Sequence, residues 1–169
     1  MEKEIINKVA QSGIITLDLA KYIPDVPKAE LDIKDFLFKG LILKEKDFRE
    51  QVKSFDWEIY AGKAVAVFCS TDAIVPHWAY MLLAAHLQPH AHTVVYGSKD
   101  TLNAVLVHQA IDKINVESLN DQRVVVKGCG DERVDAVAYT AIAVRLLPVV
   151  KSLMYGEPCS TVPVFKKKV

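Results

Sequence analysis

Three cysteines are the residues of this chain best placed to carry chemistry, because each lies beside a predicted turn. Cys69 and Cys129 each come after a β-branched apolar run, and Cys159 follows a Gly-Glu-Pro turn. A thiolate is both a nucleophile and a metal ligand, and the N–H groups at a helix start stabilise it. Thiol ligands favour zinc, iron or an iron–sulfur cluster over magnesium or calcium.

The position of two of these cysteines predicts a shared site. If residues 64–68 and 123–126 are parallel strands of one sheet, Cys69 and Cys129 emerge at its carboxyl edge, where ligands of open α/β sheets bind. A straight helix over residues 134–155 would carry Cys159 about 30 Å away, so its participation requires a break at Pro148 or a second subunit. The metal-site hypothesis comprises five side chains: Cys69, Cys129, Cys159, Asp72 and His77.

Two other functions stay open for the same residues. Cys69 or Cys129 could be the nucleophile of an acyl- or sulfur-transfer enzyme, with His77 as the base. Cysteine is also a common small apolar core residue, so the chain could be a metal-free structural or interaction module. A dinucleotide cofactor is disfavoured, because Arg133 stands where the third glycine of the Gly-Cys-Gly fingerprint belongs.

Composition limits the partners and the compartment. The chain has 169 residues, of which 51% are hydrophobic, and its 21 basic residues balance 21 acidic ones. We therefore expect no nucleic-acid partner and, without a long apolar run or a secretory signal, no membrane. A cytoplasmic location follows, in which an odd number of cysteines stays reduced.

Alternating β-branched and helical runs from Lys63 onward predict the fold. We expect a three-layer α/β sandwich with a short, mainly parallel sheet in residues 61–169 and an N-terminal α+β extension in residues 1–60. Strands are predicted at 64–68, 93–96 and 123–126, followed by a long last helix and an extended tail. No internal repeat is expected. A homodimer is predicted, with Cys159 and Phe165 as candidate exchange residues.

Several motifs resemble those of the domain of unknown function 2480 family. The similarity is carried by Cys-Ser-Thr-Asp-Ala-Ile-Val-Pro at 69–76, Lys-Gly-Cys at 127–129, the segment 154–163 and Glu-Lys-Asp-Phe-Arg at 45–49. The family brings no established activity. The resemblance makes iron–sulfur cluster assembly a plausible setting, with assembly proteins as partners, and leads us to expect a proline near the start of the last helix, where Val134 and Asp135 stand.

Overall fold

The computed structural model describes residues 13–128, 130–157 and 159–168. These residues divide into two compact units. The central unit is Asp25–Leu106, and the terminal unit comprises residues 13–24 and 107–168. The sequence predicted a different division, into residues 1–60 and 61–169.

The described residues form seven strands and four α-helices, joined by turns and short 3-10 helices. In chain order they are β1 (Ile14–Leu17), β2 (Lys28–Asp32), α1 (Glu45–Ser54), β3 (Ala64–Phe68), α2 (His77–Leu87), β4 (Thr93–Tyr96), α3 (Lys99–Asp112), β5 (Arg123–Lys127), α4 (Ala136–Leu146), β6 (Ser152–Glu157) and β7 (Ser160–Lys166).

The central unit contains a three-stranded parallel sheet in the order β2-β3-β4. Its middle strand is buried on both faces. Val65 and Val67 pack in a cluster with residues of α1 and α2, and Ala64 and Ala66 pack against the α3 residue Leu102. Burial on both faces explains why this strand is continuously apolar in sequence.

The terminal unit contains a four-stranded sheet in the order β1-β5-β6-β7. The first three strands are parallel, and β7 returns antiparallel to β6 as a hairpin. Val124 and Val126 of β5 pack with Ile142 and Leu146 of α4 in the core of this unit.

The predicted α/β fold with parallel strands is confirmed, but the expectation of a single sheet is wrong. Strands β3 and β5 belong to different sheets, because β2 pairs with β3 whereas β1 pairs with β5. Alternation of strands and helices predicts parallel pairing and leaves the partner of each strand open. Cys69 and Cys129 therefore follow strands of two separate sheets.

The prediction of one long last helix over residues 134–155 is also wrong. Helix α4 ends at Leu146, two residues before Pro148, and residues 152–157 form strand β6 instead of continuing the helix. Proline cannot continue the helical hydrogen bonds, so the break at Pro148 is confirmed. Asp135 caps α4 by accepting from the N–H groups of Val137 and Ala138, which replaces the proline expected there.

The two units repeat one another, contrary to the sequence-based expectation. Residues 64–97 align without a gap to residues 123–156, at a spacing of 59 positions. Both segments form a strand, a helix and a second parallel strand, with Val67 paired to Tyr96 in one and Val126 to Tyr155 in the other. Eleven of the 34 positions are identical, namely those of Val65, Val67, Asp72, Val75, Ala79, Tyr80, Ala84, Leu87, Pro89, Tyr96 and Gly97.

The leading strand of each unit repeats as well, at a different spacing. Leu17 of β1 and Leu31 of β2 hold matching register positions, opposite Val126 and Val67, and an aspartate follows each leucine. Each aspartate then caps a short 3-10 helix by accepting from the N–H group two residues ahead. This second spacing, and the small number of identical positions, make the repeat difficult to recognise in the sequence.

Candidate ligand pocket

A pocket opens at the carboxyl edge of the central sheet, in front of the start of helix α2. Its volume is about 450 Å³. The lining combines apolar and hydrogen-bonding side chains: Ala73, Val75, His77, Tyr80 and Tyr96. Parallel strands place their carboxyl ends at one edge, so Tyr96 at the end of β4 meets the loop that follows β3.

Cys69 begins that loop and is half-buried. Its Sγ donates to the carbonyl oxygen of Thr71 at 3.3 Å. The Thr71 hydroxyl in turn donates to the carbonyl of Gly40 at 2.8 Å. The thiol therefore sits in a loop that is tied to another part of the central unit, which fixes where the sulfur lies.

Asp32, at the end of β2, holds the same loop from the other side. Its Oδ1 accepts from the N–H of Ser70 at 3.2 Å and from that of Lys34 at 3.0 Å, and the Lys34 ammonium lies 3.4 Å from Oδ2. Burial raises the pKa of Asp32, but the hydrogen bonds from Ser70 and Lys34 together outweigh it and leave that pKa below its ordinary value. The carboxylate thus stays ionised.

Two tyrosines frame the pocket. The rings of Tyr80 and Tyr96 meet edge to face, with centroids 5.1 Å apart. Burial raises the pKa of Tyr80, and electrostatic interactions with Tyr96, Cys69 and Asp32 raise it further. The Tyr80 hydroxyl therefore keeps its proton, and among the described residues neither tyrosine hydroxyl has a hydrogen-bond partner.

The repeat places an equivalent tyrosine pair in the terminal unit. Tyr139 and Tyr155 meet edge to face with centroids 5.2 Å apart. Here both hydroxyls are engaged, because Tyr139 donates to the carbonyl of Lys127 at 3.0 Å and Tyr155 donates to that of Gly128 at 2.8 Å. The tyrosine hydroxyls are thus bonded to the backbone in the terminal unit, whereas those of the central unit have no partner among the described residues.

One of the residues that differ between the two edges accounts for this contrast. Gly128 holds the position equivalent to Cys69, and a Cβ added to Gly128 would lie 2.8 Å from Cζ of Tyr155. The tyrosine ring thus occupies the place of a side chain. In the central unit Cys69 carries that side chain, and Tyr96 is 67% exposed where Tyr155 is 39% exposed.

The predicted metal residues that the structure describes are divided between the two units. Cys69 belongs to the central unit and Cys159 is exposed in the turn between β6 and β7 of the terminal unit. His77 begins α2 and lines the pocket, whereas Asp72 is exposed and caps no helix. Cys129 lies outside the described residues, among which no three His, Cys, Asp or Glu side chains are grouped to hold a metal ion.

Sequence reasoning missed three residues of this edge: Asp32, Tyr80 and Tyr96. The internal repeat could have identified these three residues, because each recurs in the second copy. A Leu-Asp pair ends a strand twice, and Tyr-Gly follows an Ala-Tyr helix start twice at the same distance.

The fold defines a class: an α/β protein built from a duplicated strand–helix–strand unit, with an open pocket at one sheet edge. The chain belongs to the family of proteins of unknown function DUF2480, whose model matches residues 3–167. The family resemblance noted in the sequence is thereby confirmed. Neither a curated protein nor a solved structure matches the chain. Within the described ranges, no helix is long and apolar enough to cross a membrane.

Proposed function

We propose that this protein binds a small ligand in the pocket at the carboxyl edge of the central sheet. Tyr80, Tyr96 and His77 supply the hydrogen bonds to the ligand, and the Cys69 thiol stands beside it. The ring edges and the apolar side chains of Ala73 and Val75 give the ligand a hydrophobic contact surface, as in most small-molecule sites.

The observation that carries this proposal is the difference between two copies of one edge. In the terminal unit the tyrosine hydroxyls are used to hold the end of β5. In the central unit the same pair keeps its ring geometry, and the described residues offer its hydroxyls no partner. With no protein partner to give up, these hydroxyls are available to a ligand that displaces water from the pocket.

The charges around the pocket favour a neutral or cationic ligand. Neither lysine nor arginine is among the five lining residues. Burial is the largest cause of the raised pKa of Tyr80, and the Asp32 carboxylate adds to it from the same edge of the sheet. The Lys34 ammonium already pairs with Asp32, so a phosphate or another polyanion would find neither a lysine nor an arginine among the lining residues to bind it.

The geometry supports binding more directly than nucleophilic catalysis. A nucleophilic thiol needs a base within hydrogen-bond reach. The Cys69 sulfur instead donates to Thr71. The acyl- or sulfur-transfer reaction with His77 as base therefore remains a prediction, which rapid alkylation of Cys69 at neutral pH would support.

Three aromatic probes of matched size test the binding proposal: benzyl alcohol, benzylamine and phenyl phosphate. Titration followed by NMR should shift the ring signals of Tyr80 and Tyr96 with the neutral and cationic probes, and much less with the phosphate. The double variant Tyr80→Phe/Tyr96→Phe should weaken binding at least about tenfold, since a neutral hydrogen bond contributes about 1 kcal/mol.

The repeat provides the matched control for this experiment. The double variant Tyr139→Phe/Tyr155→Phe removes the same two hydroxyl groups from the equivalent positions of the terminal unit, and probe binding should be unchanged. Stronger binding of phenyl phosphate, or equal losses in both double variants, would contradict the proposal.

A second candidate function is a thiol-rich metal or iron–sulfur accessory protein of cluster assembly, and one observation favours it. Strand β6 runs parallel to β5, with Gly156 paired to Lys127, so the turn that bears exposed Cys159 lies at the edge where the chain leaves β5 toward Cys129. A tetrahedral site needs four ligands. The described residues provide no group of three, so this candidate depends on Cys129 and on partner or solvent ligands.

Metal analysis of anaerobically purified protein tests this candidate. Zinc or iron should be present in stoichiometric amount and should be lost in Cys129→Ala and in Cys159→Ala. Variants Cys69→Ala, Asp72→Ala and His77→Ala examine the remaining predicted ligands. A metal-free protein whose stability is unchanged in all five variants would exclude the metal function. It would also exclude the cytoplasmic cluster-assembly role, which belongs to this second candidate.

A further inference from the structure

We propose that strand β4 is the edge through which a second copy of this chain binds, pairing with its own β4 in antiparallel orientation. The two three-stranded sheets would then join into one six-stranded sheet. The inference goes beyond the proposed ligand pocket and rests on the unpaired edge of β4 and on a second groove, which shares Tyr80 and Tyr96 with that pocket.

Strand β4 ends its sheet and offers free hydrogen-bonding groups. It pairs with β3 on one side and with no other described strand. The N–H of His92 donates to Lys63 in the direction of β3. Because successive residues of a strand point their backbone groups to opposite sides, Val94 also faces β3, and Thr93 and Val95 present theirs to the open side.

This edge is short, with four residues, but it lacks the charges and prolines by which proteins prevent edge pairing. Its sequence Thr-Val-Val-Tyr has neither a charge nor a proline, and it is rich in β-branched residues. The edge strand β7 of the terminal unit carries Pro163 and Lys166 and pairs irregularly at Leu153/Met154. Proline, lysine and such irregularities are the common protections of exposed edges.

The repeat shows what kind of element covers an edge of this type. An apolar groove of about 240 Å³ runs between α2 and β4, and all seven of its lining residues have equivalents in a groove of about 560 Å³ beside β6. In that second groove Val164 of β7 is a further lining residue, and β7 pairs antiparallel with β6. The central unit has the same groove without such a strand.

The seven described strands all have places in the two sheets, and β4 is complementary to itself. With Val94 opposite the same residue of the second copy, Thr93 of each chain faces Val95 of the other. Each of these two pairs exchanges both backbone hydrogen bonds, as hydrogen-bonded pairs of antiparallel strands do. Met81, 71% exposed and lining the groove, would be covered by the second copy.

Sedimentation and light scattering of the full-length chain over a range of concentrations test the proposal. The protein should be a dimer whose dissociation constant rises at least about tenfold in Thr93→Lys and in Met81→Lys, because each places a charge in the interface. Ile74→Lys is the control. It replaces an apolar residue of the central unit that is 93% exposed and lies outside the groove, and it should leave the dimer intact.

Hydrogen exchange provides a second measurement that does not depend on any variant. The amides of Thr93 and Val95 should be protected at high protein concentration and exchange freely on dilution. A monomer at all concentrations overturns the proposal. Protection that is independent of concentration also overturns it, since another segment of the same chain would then cover β4. A dimer that Thr93→Lys, Met81→Lys and Ile74→Lys leave equally intact would show that the copies meet elsewhere.

Discussion

The hydroxyl of Tyr155 donates to the carbonyl oxygen of Gly128 at 2.8 Å, and the equivalent pair in the other unit, Tyr96 and Cys69, has no such bond among the described residues. Glycine leaves room for the ring to lie on the backbone. Cysteine places a side chain in that space. The replacement of Gly128 by Cys69 at the equivalent position thus accompanies the change from a tyrosine bonded to the backbone to an open pocket.

The variant Cys69→Gly should close the pocket of the central unit. Without the thiol side chain, Tyr96 can approach the backbone as Tyr155 does, and its exposure should fall from 67% toward 39%. A crystal structure of the variant would show a hydrogen bond from the Tyr96 hydroxyl to the carbonyl of residue 69. A ring that keeps its present position would mean that the loop, and not the side chain, holds it away.

Removal of tyrosine hydroxyls should affect stability in one unit and not in the other. Tyr155→Phe breaks a hydrogen bond to the backbone, so urea denaturation should show a loss of about 1 kcal/mol in the free energy of unfolding. Tyr96→Phe at the equivalent position should leave that free energy unchanged within error. Equal losses in the two variants would show that Tyr96 has a partner in solution.

A methyl group at Gly128 should be costly for steric reasons. The added Cβ would lie 2.8 Å from Cζ of Tyr155 and 3.0 Å from the backbone Cα of Gly156, so Gly128→Ala should destabilise the protein by about 1–3 kcal/mol. Cys69→Ala is the matched control, because that position already holds a side chain. Thermal unfolding compares the two, and a Gly128→Ala variant as stable as the control would contradict the close packing of Tyr155.

Acid should weaken the loop that precedes α4. Hydrogen bonds from the side chain and N–H of Arg133 lower the pKa of Asp131 from 3.8 to about 2. A lowered pKa in the folded state means that the stabilisation is complete above the unfolded value and is lost as the pH falls from about 4 through about 2. In Arg133→Gln the pKa, followed by NMR of the carboxyl carbon, should rise toward its ordinary value. Arg49→Gln, which removes an exposed pair with Glu45, should leave it unchanged.

Local features of the sequence determined the elements and the ends of several of them. Strands at 64–68 and 93–96 were predicted with the observed bounds, because a short β-branched run between turn residues is a local signal. The first turn of α2 at His77 and the break at Pro148 follow from the chemistry of proline. The positions of Cys69 directly after β3 and of His77 at the start of α2 also follow from these local signals.

Tertiary structure decided which strands are neighbours and which side chains meet. The division into two sheets arises because β1 pairs with β5 and β2 pairs with β3. The hydrophobic pattern of a strand indicates which face is buried and does not identify a partner strand that is distant in sequence. Strand pairing brings Tyr80 into contact with Tyr96. It also allows the Ser70 N–H to donate to the Asp32 carboxylate. Residue types determined what chemistry was available, and long-range packing determined which of those groups share a pocket.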